Sequence, residues 1–198
     1  MLNKIIENKV DNILNYIDND MFSMEKNDPV HDYILSNNCY EWYYTIAKVL
    51  KPKSILEIGV RFGYSLVSMM KGAENSIEYV LGMDNDSYIH NSTQLARGYC
   101  ELVKPNITTI DVVNSQKIQK LDRHFDLVHI DGDHTYNGKI YDLNLIKNNC
   151  IYCIIDDYDF IDSVRKATDD FMLDNTSIIK NKLYIPSFRG TMILEFAR

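Results

Sequence analysis

The chain has 198 residues, of which 45% are hydrophobic and 25% charged, with a formal net charge of −7. That length supports one globular domain with a sizeable core and a short accessory segment. The acidic balance, without any Lys/Arg cluster, excludes a protein that binds nucleic acid through overall basic charge, and no apolar run approaches the ~20 residues that span a bilayer.

The first residues are amphipathic and carry charge where a secretion signal would be apolar, so no signal peptide is expected. Leu2, Ile5, Ile6, Val10, Ile13, Leu14 and Ile17 fall at helical spacing and predict one amphipathic helix over residues 2–18. That helix must cover something, which leaves a homo-oligomer contact open. Residues 21–32 contain Asn27-Asp28-Pro29 and read as a loop. A second helix is predicted over 33–50, stopped at Lys51-Pro52. Its aromatic residues Tyr40, Trp42, Tyr43 and Tyr44 are expected mainly to pack.

Ile55, Leu56 and Ile58 mark a short buried strand. A turn with Gly59 and Gly63 follows, and then Leu66, Val67, Met69 and Met70 begin a helix. Strand, glycine turn and helix bring backbone N–H groups against a nucleotide-like ligand. The turn is not the dinucleotide fingerprint, because Arg61 stands where the second glycine of that motif belongs. Further strands are predicted at 77–83, 107–113, 125–130 and 150–155, with helices at 88–103, 136–147 and 161–173 between and after them. Residues 178–185 and 191–196 read as a closing hairpin around Pro186-Ser187-Phe188-Arg189-Gly190. The alternation predicts an α/β protein: a Rossmann-like, doubly wound, seven-stranded, mainly parallel sheet with a C-terminal antiparallel hairpin and N-terminal helices. Residues 1–52 form the helical segment and 53–198 the sheet domain.

Cys150 and Cys153 have the spacing of a zinc or redox pair, but they lie in a predicted strand, where residues three apart point to opposite faces, and no second pair completes a tetrahedral site. With Cys39 and Cys100 they are expected to be reduced thiols of a cytoplasmic protein.

Ligands of open α/β sheets bind at the carboxyl ends of the strands. Here those ends carry Glu57, Asp84, Asn114, Asp131 and the pair Asp156-Asp157. Any one could be a helix cap; five in register make chance a poor explanation. Asp84 is placed to accept ribose hydroxyls, because Asp86 is the better cap for the next helix. Asp131, Asp156 and Asp157 would repel one another unless a cation lies between them, and hard oxygen ligands suit magnesium, calcium or manganese. His134 follows Asp131 by three residues and could act as general base, or be a structural histidine bonded to Asp133. His129 lies within a strand and reads as core; His31, His90 and His124 read as surface residues.

Together these residues resemble the class I S-adenosylmethionine-dependent methyltransferases, and among them the small metal-dependent O-methyltransferases with an Ile-Asp-Gly-Asp-His-x-Tyr motif. The resemblance rests on Leu56-Glu57-Ile58-Gly59-Val60-Arg61-Phe62-Gly63-Tyr64-Ser65, on Ile130-Asp131-Gly132-Asp133-His134-Thr135-Tyr136 and on Asp156-Asp157-Tyr158, and covers roughly residues 54–158. It implies S-adenosylmethionine as cofactor, held by Glu57, Gly59, Arg61, Gly63, Ser65, Asp84, Asn85, Asn114, Ser115 and Asp131. It implies a divalent cation, magnesium, on Asp131, Asp156 and Asp157, and catalysis by His134 with Asp131. The implied acceptor is a small-molecule hydroxyl, of a sugar or natural product, met by residues 21–44 and 160–189, which include Tyr33, Trp42, Phe160 and Arg189. Relatives commonly have Asp-Ser where this chain has Asn114-Ser115, and a Pro-Gly-Gly turn where it has Lys147-Asn148-Asn149. Asparagine tolerates left-handed backbone, so that turn is expected to survive. A metal-independent methyltransferase and a non-catalytic S-adenosylmethionine-binding module remain as alternatives.

Overall fold

A computed structural model describes residues 1–17, 35–87 and 91–197; the loop assigned to 21–32, together with Tyr33, His31 and His90, lies outside them. Helix α1 is Asn3–Glu7, followed by a 3-10 turn at Ile13–Asn15, and α2 is Cys39–Leu50. The sheet domain runs β1 (Ser54–Ile58), α3 (Tyr64–Gly72), β2 (Tyr79–Asp84), α4 (Ser92–Val103), β3 (Thr108–Val112), a 3-10 turn (Ser115–Lys117), β4 (Phe125–Ile130), α5 (Tyr136–Ile146), β5 (Cys150–Ile155), α6 (Asp162–Asp174), β6 (Ile179–Ile185) and β7 (Thr191–Phe196).

The strand order is β3-β2-β1-β4-β5-β7-β6. β1 to β5 pair in parallel, and β7 lies antiparallel between β5 and β6. This is the seven-stranded, doubly wound sheet with a closing hairpin that the alternation predicts. From β1 the chain goes outward to β2 and β3, then returns to the other side of β1 for β4 and β5. The gap between the carboxyl ends of β1 and β4 is therefore the switch point, where a ligand can enter the sheet edge.

Both faces of the sheet's centre are covered, so β1, β4 and β5 are largely apolar rather than alternating, whereas β3 and β6 at the edges carry polar, exposed residues. One layer packs α2, α3 and α4 with the N-terminal segment against Ile55 and Leu127. The other packs α5 and α6 against Leu56, Ile58, Val128 and Ile130. Cys150 and Cys153 are both buried and belong to this second core cluster. All four cysteines are free and buried. Among the described residues no helix is long and apolar enough to cross a membrane.

The N-terminal helix is shorter than its periodicity suggests. Past Asn8 the backbone donors turn to α2: Val10 N–H bonds Thr45 Oγ1 at 3.1 Å and Ile13 N–H bonds Glu41 Oε1 at 2.8 Å. Asn12 then caps the 3-10 turn through its side chain. Leu2, Ile5, Val10, Ile13 and Ile17 still reach the core, whereas Ile6 and Leu14 are exposed. The second predicted helix is also interrupted, at Asn37-Asn38, where Asn38 takes φ 56° ahead of α2. The turn before β5 survives by another route than expected. No residue of it has positive φ; instead the Asn149 amide donates to the carbonyls of Leu121 and Arg123.

Candidate functional site

The loop after β1 lies against the loop after β4. Gly59 has φ +89°, and a Cβ there would overlap the Asp131 backbone, so this approach is available only to glycine. Two backbone bonds fix it: Gly59 N–H to Met83 O and Asp131 N–H to Ile58 O, each 2.8 Å. Arg61 follows in left-handed conformation, φ 48°, and its N–H donates to Asp84 Oδ2 at 2.8 Å. Asp84 Oδ1 accepts from Asp86 N–H. Asp86 in turn caps α4, accepting from Thr93 N–H and from the Ser92 and Thr93 hydroxyls. The two acids thus divide as their positions suggest: Asp86 serves the helix, and Asp84 stands oriented at the end of β2.

A cleft of about 530 Å³ opens along these carboxyl ends, within the range of small-molecule and cofactor sites. It is lined by Gly59, Arg61, Asp84, Asn85, Asn114, Ser115, Asp131 and His134 from the predicted set, with Ile58, Met83 and Val113 as apolar wall. Glu57, Gly63 and Ser65 stand behind it. Glu57 is fully buried and accepts from Ser65 Oγ at 2.5 Å, and its Oε1 lies 2.6 Å from His129 Nδ1. Burial raises the Glu57 carboxyl, against the hydrogen bond from His129. Burial works to lower His129, but its bond to Glu57 prevails and raises it. Buried together, the two tie β1 to β4 and, through Ser65, to α3. Gly63 lies against Ala96 of α4 and sets helix packing.

Asn114 uses its side-chain oxygen on Gln116 N–H. Ser115 donates its hydroxyl to Asp142 Oδ1 at 2.7 Å, so its remaining lone pairs can accept from a ligand in the cleft. Asp142 and Lys139 are fully buried on α5. Burial pushes the Asp142 carboxyl up to about 6, with Ser115 and Lys139 opposing, and Lys139 Nζ reaches Ile130 O at 3.3 Å. Sequence patterning missed this pair: Lys and Asp on a helix read as solvated, and only the fold turns them inward.

At the other end of the cleft, His134 Nε2 lies 3.1 Å from Asp131 Oδ1 and 3.2 Å from Asp157 Oδ2. Its side chain is 39% exposed, whereas Asp157 is fully buried. Asp133, the competing partner for His134, instead binds Thr135 N–H and the Gln116 amide. Burial works to raise Asp131, but its bonds to His134 and nearby positive charge hold it down at about 2. His134 is raised, first by its bond to Asp131. Asp157 is pushed up to about 8 by burial, then by Asp156 and Asp131, against Arg189 and His134.

Of the three carboxylates expected to converge, Asp131 and Asp157 meet with His134, their donor atoms lying within 4.8 Å of one another. Asp156 is buried beside the Tyr43 hydroxyl, which donates to it. Arg189, from the β6–β7 turn, pairs with Asp157: Nη2 donates to Oδ2 at 2.6 Å, Nε is in ion-pair contact with Oδ1, and Nη1 lies 3.7 Å from Asp156 Oδ2. The donor types suit a hard divalent cation, but the fit is incomplete, because Asp157 Oδ2 already accepts from a guanidinium that also pairs with Oδ1.

Residues 56–150 match the family model described as a methyltransferase domain. No curated protein matches the chain by sequence. Among solved structures it is similar to the Podospora anserina methyltransferase PaMTH1 with bound S-adenosylhomocysteine (TM-score 0.72, 16% identity, 100% of this chain and 94% of that one). It is also similar to the O-methyltransferase TomG of Streptomyces achromogenes in complex with S-adenosylmethionine (0.65, 11%, 90% and 87%), and to an O-methyltransferase of Bacillus cereus in complex with S-adenosylhomocysteine (0.61, 14%, 92% and 99%). At these identities the likeness is one of fold.

Proposed function

We propose that this chain, a member of the class I S-adenosylmethionine-dependent methyltransferases, methylates a hydroxyl oxygen of a small molecule such as a sugar or natural product. The observation that carries this reading is the position of His134, held by Asp131 and Asp157 in the same cleft that Gly59 and Asp84 border. A base there lies where an acceptor oxygen would meet the cofactor's methyl group.

In this reading Asp84 accepts from the ribose hydroxyls, Gly59 lets the cofactor approach the backbone, Ser115 accepts from the adenine amino group, and Met83 and Val113 cover its ring. Arg61, Asn85 and Asn114 border the same space, while Glu57, Gly63 and Ser65 hold the loop from behind. With Nε2 donating to Asp131, His134 takes the acceptor's hydroxyl proton at Nδ1, and the Asp131 carboxylate stabilises the imidazolium that forms. Bound S-adenosylmethionine would supply an electrophilic methyl to the acceptor oxygen, with its own sulfur as the neutral leaving group, and His134 would pass the acceptor's proton on to solvent. Orientation of two reactants supplies much of the acceleration.

A divalent cation such as magnesium is the second reading, favoured by the proximity of Asp131, His134 and Asp157. It would act as a Lewis acid on the acceptor oxygen. Residues 1–52 are taken as support for the domain 53–198 and a border of its acceptor side. Four free, buried thiols favour a reducing, cytoplasmic setting. Incubating the protein with S-adenosylmethionine and a panel of sugars, phenols and hydroxy acids, with mass spectrometry of the products, tests the proposal. Acceptor-dependent release of S-adenosylhomocysteine with a methyl ether is expected. Methyl transfer to nitrogen only, or none across the panel despite cofactor binding, would contradict it.

A further inference from the structure

The Arg189 side chain is only 16% exposed, yet it lines the cleft together with Asp131 and His134. Its position is built into the backbone. The carbonyl of Arg189 accepts from the N–H groups of Asp159 and Phe160, and that of Gly190 from Tyr158 N–H, so the hairpin turn is stitched to the turn after β5. Gly190 has φ +68°, and a Cβ there would press into Asp159, so glycine is what allows the two turns to meet. The guanidinium carbon then sits 5.3 Å from the Phe160 ring centroid, over an aromatic face that favours a cation.

We infer that Arg189 is the resident cation of this site: it neutralises Asp156 and Asp157, faces the acceptor oxygen, and lets methyl transfer proceed without a divalent metal. This rests on the methyl-transfer reading above. The argument is one of occupancy. Asp157 Oδ2 accepts from Arg189 at 2.6 Å, and Asp157 Oδ1 lies in ion-pair contact with Nε. A metal could claim Asp157 only by displacing a largely buried guanidinium ion-paired to both of its oxygens, and would otherwise sit against its positive charge. A guanidinium has five N–H donors, so the Nη2 bond to Asp157 leaves others for the oxygen on which negative charge develops.

The test is a calorimetric titration of Mn²⁺ into the wild-type protein and Arg189→Ala, with S-adenosylhomocysteine binding measured in parallel. Removing a unit positive charge a few ångströms from three carboxylates should tighten Mn²⁺ binding by roughly tenfold or more. Wild type should keep its turnover in EDTA, whereas Arg189→Ala should lose turnover in EDTA and regain it with Mn²⁺. Equal Mn²⁺ affinity in the two proteins, or wild-type turnover abolished by EDTA, overturns the inference. If Arg189→Ala does not fold, Arg189→Met keeps the stem over Phe160 and is read in the same way. Failure of both proteins to bind S-adenosylhomocysteine would instead count against the methyltransferase reading, and the Mn²⁺ comparison would still decide the role of Arg189.

Discussion

His134 can serve as base only when its imidazole is neutral, and the bond to Asp131 raises it above its ordinary value of 6.5. Turnover should therefore climb with pH, with the midpoint of the rising limb above 6.5. Asp131→Asn removes the largest cause of that rise and should move the limb to lower pH. His134→Ala should cut kcat by roughly 10²- to 10⁴-fold, the usual contribution of a general base, while S-adenosylhomocysteine affinity stays within a factor of a few. A flat pH profile, or a His134→Ala enzyme as fast as wild type, would remove the base from the account. Glu57 belongs to a different class of residue. It is fully buried and bonded to Ser65 and His129, away from the cleft. Glu57→Ala leaves His129 buried without its partner and should cost about 3–5 kcal/mol in chemical denaturation, a loss that Glu57→Gln should largely avoid by keeping the hydrogen bonds.

Among the elements, the β1–α3 loop depends most on one residue. Gly59 combines φ +89° with a position where a Cβ would overlap the Asp131 backbone. Gly59→Ala should therefore separate the β1 and β4 loops and abolish cofactor binding, readable by calorimetry, even where circular dichroism reports a folded sheet. Retained cofactor affinity in that variant would mean the close approach is dispensable. The N-terminal segment is fastened differently. Thr45 and Glu41 accept the N–H groups of Val10 and Ile13, and leaving a buried donor unsatisfied costs about 1–3 kcal/mol. Glu41→Ala should free residues 8–17 for limited proteolysis before the sheet domain is cut. The periodicity of residues 2–18 found Leu2, Ile5, Val10, Ile13 and Ile17 in the core but also placed Ile6 and Leu14 there, which are exposed, and it mistook the backbone. Apolar spacing reports which residues face the core, whereas the end of the helix at Asn8 depends on hydrogen-bond acceptors far along the chain, on α2.

For the molecule as a whole, the alternation of apolar runs and glycine turns was enough to predict the sheet, its winding and its hairpin, because both faces of the central strands β1, β4 and β5 are covered and these are largely apolar. The cleft was legible for a related reason: the polar residues that interrupt those runs fall at the carboxyl ends of parallel strands, where Gly59, Asp84, Ser115 and Asp131 border one space. What the sequence hid was pairing. Nothing near Asp157 in the chain marks Arg189 as its partner, 32 residues away, and nothing marks Asp142 as the acceptor for Ser115, 27 residues away. Such contacts follow only from the sheet order, which brings β7 beside β5 and α5 behind the cleft. The account turns on this cleft being an S-adenosylmethionine site oriented by Asp84. The most direct measurement is calorimetric titration of S-adenosylhomocysteine into wild type and Asp84→Ala. Saturable binding to wild type, weakened by roughly tenfold or more in Asp84→Ala as expected for losing a charged hydrogen-bond acceptor, is the predicted result. No binding to wild type, or equal affinity in both proteins, would contradict it.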